Sequence, residues 1–270
     1  MPNEVLVVLT CYSRPQNMPQ VIDAWNRQTV PVNVIVVDNR KWTPIDFETY
    51  QGDTESIEEY PCSQLSGNGY DAPLDVWRWM ENSGCPCWLA PAIMLGHKYK
   101  YIVRADDDLL PGKRAVEHLL KTAYVCDDDF STIGQVGRRF TEDKYNRSNV
   151  KQWPFCDSKM TRVDLTCRAL MVKSRDVIHA FDFRQQLLDT GEPDAAKLVD
   201  VHDDFLICMG VQLATEHPSY ITSYTDDDET QLVKTDIPNG PESCYKRPGH
   251  YEERQRMVEL SRMVGWRSLV

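Results

Sequence analysis

Three consecutive aspartates, Asp106–Asp108, come shortly after an apolar segment at residues 99–103. A short apolar run that ends in polar residues predicts a buried strand. In open α/β sheets, ligands bind beside the carboxyl ends of the strands. Adjacent carboxylates repel one another unless a cation offsets their charge, and Mg²⁺ and Mn²⁺ prefer oxygen ligands. The sequence therefore predicts a site for Mn²⁺ or Mg²⁺ at the end of this strand.

The orientation of the three carboxylates follows from the geometry of an extended chain. Alternate side chains of a strand share a face, so Asp106 and Asp108 are expected to face one ligand while Asp107 points away. A calcium-binding loop that starts at Asp106 is excluded, because Pro111 occupies its sixth position, where such a loop needs glycine.

Three other acidic clusters differ in their context. Asp203 and Asp204 open an apolar helical segment. Acids there favour the helix dipole, and a carboxylate at a helix start near a metal site can also act as a general base. Asp127–Asp129 follow the end of a predicted helix, which indicates a surface turn. Residues 226–229 belong to a segment, 225–248, that we interpret as a long mobile loop, and no chemistry is assigned to them.

The elements that must position these residues alternate between strands and helices. An apolar run at 4–10, a helical pattern at 15–28 and a second apolar run at 32–38 predict a βαβ unit and hence a parallel sheet. Because no linker or repeat interrupts the chain, we predict one α/β domain. The remaining patterns predict helices at 71–97 (in two pieces), 112–124, 174–188, 203–215 and 250–264, and strands at 99–103, 132–140 and 161–173.

Composition narrows the class of protein. The chain has 270 residues, 41% of them hydrophobic, which is ample for a sizeable core. Its net charge of −11 argues against a broad basic face for nucleic acid and leaves only a local groove open. No apolar stretch reaches the ~18 residues of a membrane span. The nine cysteines form no CxxC pairs, which indicates reduced thiols and no zinc site. We expect a cytoplasmic protein without membrane contact, in the host cytoplasm if it is viral.

The N-terminal motifs resemble those of GT-A glycosyltransferases, the metal-dependent fold that uses nucleotide sugars. Tyr12-Ser13-Arg14, Gln28-Thr29-Val30-Pro31 and Val36-Val37-Asp38-Asn39 resemble the opening of family 2 and exostosin-like enzymes. In those families a strand, a Y-x-R turn, a helix and a V-V-D-N strand end build the nucleotide half-site.

Later motifs follow in the same order as in these families. RADDDLLP at 104–111 resembles the DxD motif, and VHDDFLICMGV at 201–211 resembles the E-D-x-x-L element of family 2. RPGHYEERQRMV at 247–258 resembles an acceptor-side segment that holds a metal-binding histidine. The resemblance spans residues 4–266. It implies a GT-A (Rossmann-like) α/β fold, with a mostly parallel sheet flanked by helices, a C-terminal acceptor-side subdomain and a mobile loop.

The resemblance also implies roles for individual residues. Asp108 and His250 would bind the metal, Mn²⁺ or Mg²⁺, which bridges the diphosphate. Asp204, or Asp203, would take the proton of an acceptor hydroxyl. The nucleotide sugar, with UDP the commonest nucleotide, would contact Thr10, Tyr12, Arg14, Asp38, Asn68, Arg104, Asp106 and Asp107. The implied function is metal-dependent transfer of a hexose from a nucleoside-diphosphate sugar to a hydroxyl.

The expected organisation is one catalytic domain over residues 1–270. Residues 1–110 would form the nucleotide-sugar-binding half and residues 111–270 the acceptor-binding half. The acceptor stays open between a hydroxymethylpyrimidine in DNA, as in phage-type DNA-modifying enzymes, and a glycan. The basic residues Arg138-Arg139 and the segment 144–151, with Tyr145 and Trp153, favour DNA, whereas the net charge of −11 opposes it.

Two other functions stay open. Nucleotidylyltransferases are also α/β and metal-dependent, but usually carry a glycine-rich loop with a lysine after the first strand. Residues 10–18 contain no glycine. A non-catalytic protein that binds sugar nucleotides is the other alternative, and the intact Asp106, Asp108 and Asp204 oppose it.

Overall fold

This computed structural model describes residues 4–12, 14, 17–39, 75–78, 84–140, 145, 150–151, 160–223, 228–230 and 247–269. Of the predicted site residues, only Asn68 lies outside the described residues. Most of the predicted loop 225–248 and of the basic segment 144–151, as well as Trp153, also lie outside them.

One mixed sheet forms the centre of the protein. Among the described residues it contains nine strands, in the order β3-β2-β1-β4-β8-β5-β9-β7, with β6 paired to β5. The strands are β1 (Val5–Cys11), β2 (Val32–Asp38), β3 (Asp75–Arg78), β4 (Tyr101–Asp106), β5 (Thr132–Arg138), β6 (Val150–Lys151), β7 (Thr161–Val163), β8 (Leu165–Lys173) and β9 (Ser219–Ile221).

Strand direction defines which ends of the strands meet. The first four strands of the sheet, β3, β2, β1 and β4, all run parallel. Strand β8 is antiparallel to both β4 and β5, so β5 runs in the same direction as β4. The carboxyl ends of β1, β2, β4 and β5 therefore lie along one edge of the sheet.

Helices cover both faces of the sheet. They are α1 (Met18–Asn26), α2 (Leu89–Gly96), α3 (Ala115–Val125), α4 (Ile178–Asp189), α5 (Ala195–Val199), α6 (Asp203–Thr215) and α7 (His250–Met263). Helices α1 and α3 pack on one face through residues such as Trp25 and Leu119. The other helices build the core on the opposite face, around Trp88, Phe205 and Trp266. Each fully buried large side chain contributes about 1.5–3 kcal/mol, which fixes both layers.

The βαβ unit and the helices at 112–124, 174–188, 203–215 and 250–264 are confirmed, with ends that differ by a few residues. The prediction of helix over 71–97 is wrong at its start, because Asp75–Arg78 form β3, parallel to β2. Backbone N–H and C=O groups on the edge of β2 need hydrogen-bond partners. The strand pairing of β3 with β2 supplies them, and this tertiary contact outweighs the helical spacing of apolar residues in the segment that contains β3. The short elements α5 and β9 were not predicted. No helix in the described ranges is long and apolar enough to cross a membrane.

Substitution of Gly210 tests the packing of α6 on α4. A Cβ atom at this position would lie 2.7 Å from the carbonyl oxygen of His179 and 2.8 Å from Cβ of Phe183. Gly210→Ala is therefore expected to lower the free energy of unfolding by about 1–3 kcal/mol, because the backbone of α4 must move. Chemical denaturation measures this change.

Gly96→Ala provides the matched control. Its Cβ would meet Ser174 at an ordinary 3.4 Å, at the end of α2. Alanine is also the better helix former, so this variant is expected to be as stable as the wild type or more stable, by up to about 1 kcal/mol. Equal destabilisation by both substitutions would contradict the packing described for α6.

Candidate active site

The site is built at the edge where the parallel strands end. The register pairs Thr10 of β1 with Asp106 of β4, and Cys11 with Asp38 of β2. The hydroxyl of Thr10 donates to the carbonyl oxygen of Ala105 at 3.4 Å, which ties β1 to β4. Three predicted site residues, Thr10, Asp38 and Asp106, thus lie at neighbouring strand ends.

Arg14 connects the turn after β1 to the acidic triplet. Its Nε donates to Oδ1 of Asp107 at 2.8 Å, and its Nη1 donates to Oδ2 of Asp108 at 2.7 Å. The backbone N–H of Tyr12 also donates to Asp107, at 3.2 Å, and Asn17 donates to its carbonyl oxygen. The side chain of Asp107 is only 3% exposed, so it anchors this turn. Its contact with a nucleotide sugar stays a prediction.

The expected alternation along the triplet does not hold beyond Asp106. Strand β4 ends at Asp106, and the next two residues form a turn. Asp108 therefore shares Arg14 with Asp107, whereas Asp106 pairs with Arg104 at 2.8 Å. Asp106 and Asp108 thus have different cationic partners.

Arg104 is buried, and it joins strand β4 to helix α6. Its Nη2 lies 3.0 Å from Oδ2 of Asp203, the first residue of α6. The indole Nε1 of Trp88 donates to the same oxygen at 2.8 Å. A third contact runs from Nη1 to the carbonyl oxygen of Arg168, at 2.9 Å. Arg168 has a φ of 68°, in the left-handed region that non-glycine residues rarely adopt.

Burial and neighbouring charge shift the pKa of Asp106. Burial raises it most, the charge of Arg104 opposes this, and the carboxylates of Asp108, Asp203 and Asp107 raise it further, to about 7. Burial likewise raises the pKa of Asp203. Because one pKa unit corresponds to about 1.4 kcal/mol, ionising Asp106 in the folded protein is costly, mainly through its burial and secondarily through the neighbouring carboxylates.

Asp204 lies beside Asp203 but has a different partner. Arg254 of α7 donates to both of its oxygens, from Nη2 at 2.5 Å and from Nη1 at 3.4 Å. Burial raises the pKa of Asp204, but the charge and hydrogen bonds of Arg254 outweigh it and hold the pKa below its usual value. Arg254 itself is buried, and its guanidinium lies over Phe205 at 4.7 Å from the ring centroid.

His250 begins helix α7 and is buried next to His202. The two ring centroids are 5.7 Å apart. Burial and the charge of Arg254 lower the pKa of both histidines to about 4, so both are neutral at pH 7. Neutral imidazole is the form that binds metals, and Nδ1 of His250 has no hydrogen-bond partner among the described residues. A metal contact of His250 stays a prediction.

The charges around the triplet suit a divalent cation. Among the described residues, four carboxylates face two guanidinium groups there, which leaves two negative charges when all four are ionised: Asp106, Asp107, Asp108 and Asp203 against Arg14 and Arg104. No group of three or more His, Cys, Asp or Glu side chains in the described residues is arranged as a ready-made metal site. Mg²⁺ often takes only one or two carboxylates and completes its shell with substrate phosphates, so Asp108 is compatible with its predicted role as the carboxylate ligand.

The structure brings together most residues that the sequence predicted, and it adds three. Tyr12 lies on the turn beside Asp107, with 51% of its surface exposed, as a stacking residue requires. Sequence reasoning missed Trp88, Arg168 and Arg254. For Arg254 a signal exists, since it falls on the same face of α7 as the buried Met257 and Val258. An arginine on an apolar helix face needs a buried anionic partner.

Comparisons with known proteins bear on the fold. No family model and no curated protein matches the sequence. The mannosyltransferase PcManGT from Pyrobaculum calidifontis, solved with GDP-Man and Mn²⁺, is 14% identical; the match covers 97% of this chain and 69% of that one, with a TM-score of 0.51. This likeness confirms the expected α/β fold, with a mostly parallel sheet flanked by helices.

A second similar structure is that of TarS from S. aureus. TarS 1–349 is 14% identical over 82% of this chain, with a TM-score of 0.45. Its complex with UDP gives 13% identity over the same share and a TM-score of 0.46. This chain spans 58% of the length of each of these TarS structures.

Removal of Arg254 is expected to destabilise the protein through Asp204. Arg254→Ala leaves a buried carboxylate without its cation, which costs about 3–5 kcal/mol at pH 7. The folded-state pKa of Asp204 lies below its unfolded value of about 3.9. Its stabilising contribution is therefore present above about pH 4 and is lost as the pH falls through the folded pKa. Urea denaturation at pH 7 and near pH 3 should show a large difference from wild type that shrinks in acid.

Arg256→Ala is the control on the same helix. Arg256 pairs with Asp194 at 3.0 Å and with Glu192, but 30% of its side chain is exposed. Exposed ion pairs contribute about 0–1 kcal/mol, so this variant should stay close to wild type. If Arg254→Ala were no more destabilising than Arg256→Ala, Arg254 would not hold a buried charge.

Proposed function

We propose that this protein is a metal-dependent glycosyltransferase that moves a sugar from a nucleoside-diphosphate sugar to an acceptor hydroxyl. The observation that carries the proposal is the excess negative charge of Asp106–Asp108, at the carboxyl end of β4, together with Asp203 at the adjoining start of α6. This edge is where α/β sheets bind nucleotides. The mannosyltransferase that shares the fold was solved with GDP-Man and Mn²⁺, which supports the same ligand chemistry here.

The donor would occupy the ends of β1, β2 and β4. Thr10, Tyr12 and Asp38 would border the nucleoside, with the exposed ring of Tyr12 available to stack on the base. Asp106 would contact the ribose or the sugar, and Asp108 would hold the cation. A divalent cation bound there supplies the positive charge that stabilises the leaving diphosphate. Residues 1–110 would then be the donor half, and UDP is the first nucleotide to test.

The acceptor would approach helix α6. Its hydroxyl must lose a proton, and Asp204 is the proposed base, with Asp203 as the second candidate. The lowered pKa keeps Asp204 ionised at neutral pH, and Arg254 fixes the orientation of its carboxylate. A base with a low pKa is a weak one, so the acceptor must lie within hydrogen-bond distance for the transfer to succeed. Residues 111–270 would carry this half of the site.

Nucleotide binding tests the proposal directly. Isothermal titration with UDP and GDP, each with and without Mn²⁺, should show binding of one nucleotide that depends on the metal. Asp108→Asn should weaken that binding by about tenfold or more, because it removes a charge that faces the cation. The acceptor, a hydroxymethylpyrimidine or a glycan, is not needed for this measurement.

Asp127→Asn is the matched control for charge. Asp127 belongs to the other aspartate triplet, is exposed, and has a φ of 54°, which asparagine adopts readily. This variant should bind nucleotide and Mn²⁺ like the wild type. If no nucleoside diphosphate binds, or if binding is indifferent to Mn²⁺ and to Asp108→Asn, the proposed function is wrong.

A further inference from the structure

A second charged region lies at the end of β5, with the opposite sign to the aspartate triplet. Arg138 is the last residue of β5, which runs parallel to β4 and is separated from it by β8. Two strand spacings separate the backbone of β5 from that of β4, which ends at Asp106, by about 10 Å across the sheet. Both residues lie at the same edge of the sheet.

Two guanidinium groups converge on one aromatic ring in this region. The Cζ atom of Arg138 lies 5.1 Å from the ring centroid of Tyr145, and Cζ of Arg254 lies 5.0 Å from the same centroid. Tyr145 is buried among Phe140, Phe205 and Tyr251. This cluster therefore holds the two cations close together in a setting with little water.

Several polar atoms of this cluster have no hydrogen-bond partner within the part of the chain that the structure describes. They are buried, and they are Nε and Nη1 of Arg138, the hydroxyl oxygen of Tyr145 and Nε of Arg254. An unsatisfied buried donor costs about 1–3 kcal/mol, and more when the group is charged. A buried polar group without a hydrogen-bond partner therefore indicates that a ligand or an ion binds there.

The cluster also has an excess of positive charge. Asp204 is the carboxylate that binds Arg254, at 2.5 Å, and within the described residues no carboxylate forms an ion pair with Arg138. Counting the described residues, two guanidinium groups thus face one carboxylate, which leaves one positive charge. The aspartate triplet lies at the end of β4, two strands away, and together with Asp203 it is left with two negative charges when all four carboxylates are ionised. The two ends of the site therefore favour ligands of opposite charge.

We propose that Arg138, with Tyr145 and Arg254, forms an anion-binding subsite that takes a phosphate group of the acceptor. Guanidinium N–H groups form short, charge-assisted hydrogen bonds with phosphate oxygens, and a tyrosine hydroxyl can donate to the same group. Because Asp204 contacts Arg254, a bound phosphate would lie next to the carboxylate proposed as the base.

The assignment to the acceptor rests on the proposed function. A nucleoside diphosphate placed at Asp106 and Asp108 would put its own phosphates at the negative end of the site, near the cation. Strand β5 is two strand spacings, about 10 Å, from β4, which is more than the length of a diphosphate, so we place Arg138 beyond it. The group that reaches Arg138 is therefore the acceptor, which would be a phosphate ester with a free hydroxyl.

Inorganic phosphate is the probe for this subsite. Arginine Nε–H signals, recorded by NMR on protein with ¹⁵N-labelled arginine, should show that the Arg138 signal moves and saturates with phosphate. Arg138→Gln, followed at the Arg254 signal, should weaken phosphate binding by about tenfold, as expected when a charge-assisted hydrogen bond is lost. Arg139→Gln is the matched control, since Arg139 donates to the backbone carbonyl of Arg162 at 2.8 Å, and it should bind phosphate like the wild type.

A second titration distinguishes the acceptor subsite from the donor site. Phosphate is added to protein that is saturated with UDP or GDP and Mn²⁺. The Arg138 signal should still move, because the donor occupies the other end of the site. Loss of the phosphate effect would show that the anion competes with the donor diphosphate, and that outcome overturns the inference. So does a failure of phosphate to move the Arg138 signal.

The outcome also separates this inference from the proposed function. If the nucleotide binds with Mn²⁺ but phosphate does not reach Arg138, the subsite is wrong and the proposed function stands. If phosphate binds at Arg138 but no nucleotide binds at all, the anion subsite is supported. The proposed function, and with it the assignment to an acceptor, would then be overturned.

Discussion

The buried guanidinium of Arg104 is the interaction on which the site depends. It contacts Asp106 at the end of β4, Asp203 at the start of α6 and the carbonyl oxygen of Arg168 in β8. A charge buried this deeply is tolerated only when its partners satisfy it, and removing one partner is far more costly than losing a surface ion pair. Arg104 therefore fixes three elements, one from the strand half and two from the later half of the chain, in a single arrangement around the carboxylates.

The distribution of charge follows from this arrangement. Arg14 and Arg104 each contact two carboxylates of the group around Asp106, so that group keeps an excess of negative charge. Among the described residues, Arg254 forms an ion pair with one carboxylate, that of Asp204, and both Arg254 and Arg138 lie near the ring of Tyr145. The same edge of the sheet thus changes from negative to positive over about two strands. We interpret this gradient as complementary to a cation with a diphosphate at one end and an anionic acceptor at the other.

Much of the fold could be predicted from the sequence, because it depends on local patterns. The apolar runs of β1 and β2, and the helical spacing of α3 and α6, each identify one element. Strand β3 could not be identified in this way, since its pairing with β2 is a contact between distant segments. Tyr145 is a second example of a contact between distant segments. The structure, and not the sequence, shows that the ring of Tyr145 lies close to the guanidinium groups of Arg138 and Arg254.

Site residues could be predicted from the sequence where they lie just after a predicted strand or at the start of a predicted helix. Asp106, Arg14 and Asp203 were each expected near a ligand, and the structure brings them together. Their pairing was not predictable, because the triplet turns at Asp107 and Arg14 takes both Asp107 and Asp108. Trp88 and Arg168 carry no sequence signal, since each acts through a single atom, an indole N–H or a carbonyl oxygen.

The central claim is that the excess negative charge at the end of β4 exists to hold a cation together with a nucleoside diphosphate. Electron paramagnetic resonance of Mn²⁺, with detection of coupled ³¹P nuclei, tests it most directly. The account predicts that the protein retains Mn²⁺ when UDP or GDP is present, and that the bound Mn²⁺ shows ³¹P coupling that Asp106→Asn/Asp108→Asn abolishes. Retention of Mn²⁺ without phosphorus coupling, or unchanged retention by the double variant, would contradict it.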